Sequence, residues 1–587
     1  EEEKEPPRIG GHMIWGVGHH VGRAAKRRRL LSGEEPVMAA CVDEEEQGPA
    51  LVLSDGQTSR MVRDALCDNR KKYIQDISSE DHKARVNKNA LPDVDAKGRM
   101  KNEAFSAQVA TQYGLLKAAG CPEDLSRKII QVVEEFPKLF DGDLSKPSTL
   151  EPYVVELRDD CGEPPCAKAR PLPRERREWL DVATKNLEKI GVIDWLGGSK
   201  AASVNPMYLD ATGSMQQEGI STSPVVLAKK PGEEGKISWR LCIDLVKENL
   251  RHKKATYRSP TLQDLREVAQ DSNSFFVLDL MKGYFQIPLA EQSKKHFVFV
   301  CPLGEGNAKF QLNRVPMGGL NSAPHLQACM ERLLGDLSGI GCYQDDILGC
   351  AKTGGSHVEK LRSVFSRLEG KGLKLQLEKV ILWAREVVFV GHKFTEAGCT
   401  ADPSKVAALV GLERPETIKE LSLFAHSSGF LRPYVLRFAE LTAPLTNVIN
   451  DALKECPKKG IKRTRAKAKK VNWDIPGLDE AWNKFKYALG HCILNSHRKP
   501  GWPLMTASDA SKYAWGSLIF QVHPEERNLP LDEMRTVEIL AVDSGTFKGA
   551  QKRWAIVDKE AFGVIQPFIL HPCLLSTGSD ESPVRIL

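Results

Sequence analysis

"CYQDDILGC", residues 342–350, sets two carboxylates side by side, Asp345 and Asp346, between apolar flanks. Adjacent like charges repel and lose solvation where their neighbours are buried, so they need an exposing turn or a neutralising cation. "GIGCY" before and "ILGCA" after have the composition of short strands, and "QDD" between them reads as a tight turn. Successive side chains of a strand point to opposite faces, so both aspartates serve one site only if the turn bends the chain between them. A third carboxylate, Asp279, stands upstream in "FFVLDLMKGYFQI", where a run of strand formers would leave a buried sheet. An ionised group there is costly unless paired. If the two strands are neighbours, three carboxylates converge and divalent cations resolve their repulsion. Hard ions such as Mg²⁺ take oxygen ligands, and two of them roughly 3.5–4 Å apart suit in-line displacement at phosphorus.

Around this centre the composition is that of a globular chain of several domains: 587 residues, 41% hydrophobic and 27% charged. No apolar run approaches the roughly 18 residues of a membrane span, and no secretory signal opens the chain. With Glu1 in first place, a fragment or processed piece of something longer is expected. The 14 cysteines include no C-x-x-C pair, which removes the usual zinc-ribbon spacings. Scattered free thiols suit a reducing compartment, cytosol or nucleus. The net charge of +6 matters less than its distribution: "KKGIKRTRAKAKK", residues 458–470, carries eight basic side chains and no acid, and "RAAKRRR" covers 23–29. Each is either a solvated loop or an electrostatic footprint for nucleic-acid backbone, the early cluster also suiting a nuclear address.

Residues 1–100 show no sustained period beyond a candidate helix in "SRMVRDALCDNRKKYIQ". In 101–150 "EDLSRKIIQVVEEFPKLF" sets Ile129, Val132, Val133 and Phe136 at helical spacing. A Pro-rich linker precedes "RREWLDVATKNLEKIGVI", an amphipathic helix ended by Gly191. Residues 197–222 have the Gly, Ser and Ala content of a flexible insertion. Beyond them "SPVVLAKK", "ISWRLCIDL", "SFFVLDL" and "VVFVGHKF" read as strands, interleaved with helices near 261–270 and 322–337. The class is α+β.

Several of these segments recur in one order: "EEFPKLF", "SPVVLAKK", "WRLCIDLVKENL", "LDLMKGYFQI", "VPMGGLNSAP", "YQDD", "GLKLQLEKV", "FVGH" and "DPSKVAAL". In that order they resemble the reverse-transcriptase domain of gypsy-class long-terminal-repeat retrotransposons, and more distantly retroviral polymerases, from about Val132 to Glu560. The resemblance implies a right-hand polymerase with fingers and palm at 151–395 and thumb or connection at 396–455. It implies that Asp279 and Asp345 bridge two Mg²⁺ ions, or Mn²⁺, that Asp346 ligates more weakly, and that the Leu280 carbonyl completes a metal site. A primer 3′-hydroxyl would attack the α-phosphate of a dNTP on an RNA template. Tyr284, five residues after Asp279, takes the steric-gate position that excludes a 2′-hydroxyl. Arg240 matches the arginine that grips the triphosphate, aided by Lys229 or Lys230. Met317 and Gly318 lie beneath the nucleotide, and Lys379 is a candidate proton donor to pyrophosphate. Phe389, Val390, Gly391 and His392 form the primer grip. Partners are then RNA template, DNA primer or hybrid duplex and dNTPs, with no membrane. Two departures stand out: Ser322 is inserted before Ala323 in the pocket motif, and Gly319 replaces a larger residue.

After a basic linker at 456–472, residues 473–570 resemble a partial ribonuclease H-like domain, with Asp509 and Glu560 as its carboxylates. The family's third, in a Thr-Asp-His strand, is missing from the tail 571–587, which offers Asp580 among turn formers. Polymerisation without ribonuclease H cleavage is expected. The rival reading is a retroelement-derived remnant that binds nucleic acid and has lost its chemistry.

Overall fold

The computed structural model describes residues 102–197, 219–230, 238–303, 308–457, 460–576 and 584–587. The candidate helix in the first hundred residues, the early basic cluster, most of the 197–222 insertion and Asp580 lie outside them. The described residues divide into two compact units, one of 102–390 with 394–396, the other of 391–393 with 397–587.

In the first unit α1 (Asn102–Ala118) and α2 (Glu123–Glu135) come first. The helical spacing of Ile129, Val132 and Val133 puts all three on one fully buried stripe of α2, while Phe136 caps the helix half-buried. That stripe joins the same core as the strands that follow. Helix α3 (Arg174–Lys189) ends as expected, with Gly191 at φ +68° supplying the left-handed turn. A five-stranded sheet then forms from β1 (Ile193–Gly197), β2 (Thr222–Lys230), β3 (Ser238–Ile243), β5 (Val298–Cys301) and β6 (Ala308–Leu312), in the order β1-β6-β5-β2-β3. Its β2 and β5 run parallel and the other three pairs antiparallel.

The second sheet carries the opening motif. It joins β4 (Ser274–Asp279), β7 (Ile340–Tyr343), β8 (Asp346–Ala351) and β9 (Ile381–Ala384) in the order β7-β8-β4-β9. Phe275, Phe276 and Leu278 of β4 and Ile347, Leu348 and Cys350 of β8 are all 0% exposed, which explains runs that are apolar throughout rather than alternating. Across the β4–β8 pair Gly349 stands opposite Phe276, and a Cβ at 349 would lie 2.0 Å from the ring's Cζ. The ring fills the space that the glycine leaves. Three helices of this unit flank the sheet in sequence: α4 (Leu262–Ala269), α5 (Ser322–Leu334) and α6 (Gly354–Gly370). His357 of α6 is buried against Phe276, its Nδ1 meeting Ser274 Oγ at 3.1 Å and its Nε2 the Leu382 carbonyl at 2.9 Å; burial pushes its pKa down to about 4.

In the second unit β10 (Gly398–Ala401) pairs with β11 (Asn495–Ser496), and helices α7 (Phe438–Leu453), α8 (Ile461–Lys467) and α9 (Leu478–Gly490) lie between them in sequence. Residues 456–472 are therefore not a plain linker: α8 carries four of the eight basic side chains of 458–470. A four-stranded sheet follows, of β12 (Leu504–Ala510), β13 (Ala514–Gln521), β14 (Glu538–Thr546) and β15 (Arg585–Ile586), in the order β14-β13-β12-β15. Helix α10 (Ile556–Leu570) packs on β12 through Ser508, whose Oγ donates to the Gly563 carbonyl at 3.2 Å. The tail is not turn throughout, because β15 runs parallel to β12. "VVFVGHKF" also departs from the expected single strand. It forms two, Glu386–Phe389 and His392–Thr395, because Val390 and Gly391 both take positive φ, +49° and +82°.

Candidate active site

Gln344, at φ +55°, reverses the chain between β7 and β8. Asp345 sits on the turn and Asp346 opens β8, directly opposite Asp279 at the end of β4. The Leu280 N–H donates to the Asp345 carbonyl at 3.0 Å, locking the turn to β4. Three carboxylates thus meet at one end of the sheet, as strand alternation required. Burial, then the charges of Asp345 and Asp279, push the Asp346 carboxyl up to about 7. Burial raises Asp279 too, opposed by Lys379 and reinforced by Asp345. Asp345 is raised by burial against its own backbone hydrogen bond and Lys379. The Lys379 Nζ stands 3.4 Å from Asp279 Oδ2, so a protein cation already offsets part of the repulsion.

Side chains that the motif reading overlooked hold this turn. A Cβ on Gly283 would lie 2.9 Å from the Asp345 Cβ, so only glycine lets the one-turn helix Gly283–Gln286 approach so closely. Gln327 of α5, 0% exposed, accepts from the Gln344 N–H at 2.7 Å and donates to the Cys342 carbonyl at 2.9 Å. Gln286 donates to the carbonyls of Met281 and Lys374 and accepts from the Lys374 N–H at 2.7 Å. The one signal available for Gln327 was a polar residue among the apolar positions of α5. Tyr284 donates its hydroxyl to Gln344 Oε1 at 3.1 Å, and burial followed by the Asp345 charge pushes its pKa up to about 12. The candidate gate therefore touches the turn that carries Asp345.

Met317 is 46% exposed and Gly318 takes φ +88°. A Cβ at Gly319 would lie 2.4 Å from the Ser322 Oγ, so the two departures from the family motif compensate each other. Arg240, exposed on edge strand β3, pairs with Ala228, whereas Lys229 pairs with Trp239. Alternation puts Lys229 on the face opposite Arg240; Lys230 pairs with Ser238. Phe389 is buried in the first unit. In the second, His392 stacks on Phe430 with centroids 4.6 Å apart, and its Nδ1 meets the Tyr434 hydroxyl at 2.7 Å. Asp509 is half-buried opposite Gly516, and Glu560 is exposed on α10. The strand β15, Arg585–Ile586, brings no carboxylate to β12, while Asp543 of β14 meets His571 Nε2 at 2.7 Å.

The oxygen donors of Asp279, Asp345 and Asp346, with one carboxyl raised by burial and then by its neighbours, fit a hard divalent cation. The fold is that of a polymerase. It superposes on the foamy viral protease-reverse transcriptase dRH in complex with double-stranded DNA, TM-score 0.64, 18% identity, covering 85% of this chain and 76% of that one. It is also similar to the foamy viral protease-reverse transcriptase in complex with RNA/DNA hybrid, TM-score 0.62, 17% identity, covering 85% and 58%. Residues 228–394, which hold all three aspartates, match the family model described as reverse transcriptase (RNA-dependent DNA polymerase). The chain is 24% identical over 462 residues to the retrovirus-related Pol polyprotein from transposon opus of Drosophila melanogaster, covering 78% of this chain and 42% of that one. Against the Pol polyprotein from transposon 297 of the same organism it is 27% identical over 371 residues, covering 62% and 32%. Residues 228–394 are thus similar to reverse transcriptases and the chain to Pol polyproteins of retrotransposons, and it spans less than half the length of these curated relatives.

Proposed function

We propose that this chain is the RNA-directed DNA polymerase of a gypsy-class retroelement, adding deoxynucleotides to a primer 3′-hydroxyl on an RNA template. One observation carries the proposal: Asp279 faces Asp346 across β4 and β8, with Asp345 on the turn that Gln344, at φ +55°, makes between β7 and β8. Asp279 and Asp345 would hold two Mg²⁺ or Mn²⁺ ions, with Asp346 as the weaker ligand and the Leu280 carbonyl beside them. When bound, the ions would activate the primer hydroxyl and stabilise the departing pyrophosphate. Lys379, 3.4 Å from Asp279, stands where it could give a proton to that leaving group. Tyr284, hydrogen-bonded to the turn, would fill the space of a ribose 2′-hydroxyl. Arg240 is in this reading the donor to the triphosphate. The relatives' complexes with double-stranded DNA and RNA/DNA hybrid support duplex partners, and α8 is a basic surface suited to their phosphates. An intracellular site, cytoplasm or nucleus, belongs to the same proposal.

Primer extension on an RNA template with Mg²⁺ tests it. Asp345→Asn removes a ligand charge with almost no change in volume, and extension should fall by several orders of magnitude while template binding persists. Near-normal extension by that variant would remove the proposed site.

A further inference from the structure

Beside the pocket motif lies a buried ionic cluster that no step above uses. Glu248, 0% exposed, closes the one-turn helix Val246–Asn249 together with Asn249. Its Oε1 receives His252 Nε2 at 3.0 Å and His296 Nδ1 at 2.9 Å. Arg251 Nη1 reaches both carboxylate oxygens, at 3.1 and 3.0 Å, and also donates to Ser221 Oγ at 2.8 Å. Burial would raise the Glu248 carboxyl, but these hydrogen bonds together hold it well below the usual carboxylate range. A carboxylate and two imidazoles with ligand atoms all within 4.8 Å could in principle take zinc. Two observations oppose that. The Arg251 guanidinium already neutralises the carboxylate, and the buried Nδ1 of His252 has no hydrogen-bond partner among the described residues, whereas a metal-bound histidine donates its second ring nitrogen to an acceptor. The cluster is an ion pair closed by two imidazole donors.

What it anchors is the next residue. Asn249 donates from Nδ2 to the Gly318 carbonyl at 2.9 Å and accepts the Leu320 N–H on Oδ1 at 2.9 Å. Asn321 answers from the other side, donating to the Lys253 carbonyl at 2.8 Å and accepting the Ala255 N–H at 3.0 Å. Two amides thus tie the exposed loop of Met317 and Gly318 to the segment 248–255, and the segment is fixed by the charges buried beneath it. Met317 itself is exposed and Gly318 has no side chain, so without these ties little would hold the loop at one height.

We propose that Asn249 is the positioning residue of the nucleotide pocket and that the Glu248–Arg251–His252–His296 knot holds Asn249 in place. This rests on the reading of residues 316–321 as the floor of that pocket. Asn249 touches no reacting atom; it sets where the backbone at 318 stands.

The test is dNTP incorporation at varied dNTP concentration by the wild-type chain, Asn249→Ala and Asn249→Asp. KM for dNTP should rise about tenfold in Asn249→Ala, the order that one or two hydrogen bonds supply, with kcat within about twofold and the melting temperature near wild type. Asn249→Asp keeps the acceptor for Leu320 and loses the donor to Gly318, so its KM should fall between the two. Glu248→Gln preserves shape but leaves Arg251 buried beside a neutral amide; it should melt lower and raise KM, and if it does not fold the Asn249 variants decide. An unchanged KM in Asn249→Ala beside an active wild type overturns the positioning role alone. A wild type that incorporates no dNTP overturns the pocket reading and this proposal with it. Equilibrium dialysis against Zn²⁺ should leave no bound equivalent; one zinc per chain, lost in His296→Ala, would overturn the knot in favour of a metal centre.

Discussion

Replacing Gly283 with alanine adds one methyl group and no charge, yet the site geometry makes it a severe change. The new Cβ would lie 2.9 Å from the Asp345 Cβ and 3.4 Å from that of Leu280. Carbon atoms are comfortable at about 3.5–4.0 Å, so the pair must separate by roughly 0.6–1 Å. Asp345 has little freedom to yield, because the Leu280 N–H holds its carbonyl at 3.0 Å and Gln327 holds the Gln344 N–H at 2.7 Å. A displacement of about 1 Å in a catalytic group costs on the order of 10²-fold in rate, and overpacking of this kind costs about 1–3 kcal/mol of stability. We expect single-turnover primer extension at saturating dNTP to slow about 100-fold, with a cooperative thermal transition retained. Gly355→Ala is the matched control, since a Cβ there meets nothing within 4 Å, and it should extend at the wild-type rate. A Gly283→Ala rate within about twofold of wild type would refute the claim that this contact sets the position of Asp345.

The Asp346 carboxyl gives a prediction with a sign. Its folded pKa, about 7, lies above its ordinary 3.8, so the fold favours the neutral form. The cost of ionising it is absent below about pH 4, grows as pH rises to 7 and is complete above that. About three pH units correspond to at most about 4 kcal/mol, and partial solvent screening reduces this to about 2 kcal/mol. In EDTA, Asp346→Asn should therefore exceed wild type by that amount at pH 8 and match it near pH 4; equal denaturant midpoints at pH 8 would contradict the electrostatics. Tyr284→Val should raise the ratio of ribonucleotide to deoxynucleotide kcat/KM, and an unchanged ratio would make Tyr284 ordinary packing. Neutralising Lys462, Arg463, Arg465 and Lys467 on α8 should weaken hybrid binding regardless of sequence and flatten its salt dependence; an unmoved slope would make α8 a merely solvated helix. A labelled RNA–DNA hybrid should survive incubation with Mg²⁺ or Mn²⁺, because β15 brings no third carboxylate to Asp509 and Glu560. Cleavage lost in Asp509→Asn would overturn that expectation.

The chemistry of this chain is written locally. Strand alternation and the pair Asp345–Asp346 already demanded a turn between them, and Gln344 at φ +55° supplies it. The run "SFFVLD" announced a strand leaving a buried sheet, and the helical spacing of Ile129, Val132 and Val133 announced its stripe. Such signals survive in one dimension because backbone periodicity acts over a few residues. The residues that tune the site left no such trace. Lys379 meets Asp279 across 100 positions, Gln286 meets Lys374 across 88, and Asn249 meets Gly318 across 69. Each is an ordinary polar residue until packing supplies its partner. Gly319 and Ser322 make the same point at short range, since the motif displayed two departures and only the close approach of Ser322 Oγ makes one the reason for the other. Hydrophobic pattern and motif order specified the strands that carry the three carboxylates, but not the break in "VVFVGHKF" or the strand in the tail. Distances between side chains depend on how those strands and helices stack, and that follows from burying the whole core at once.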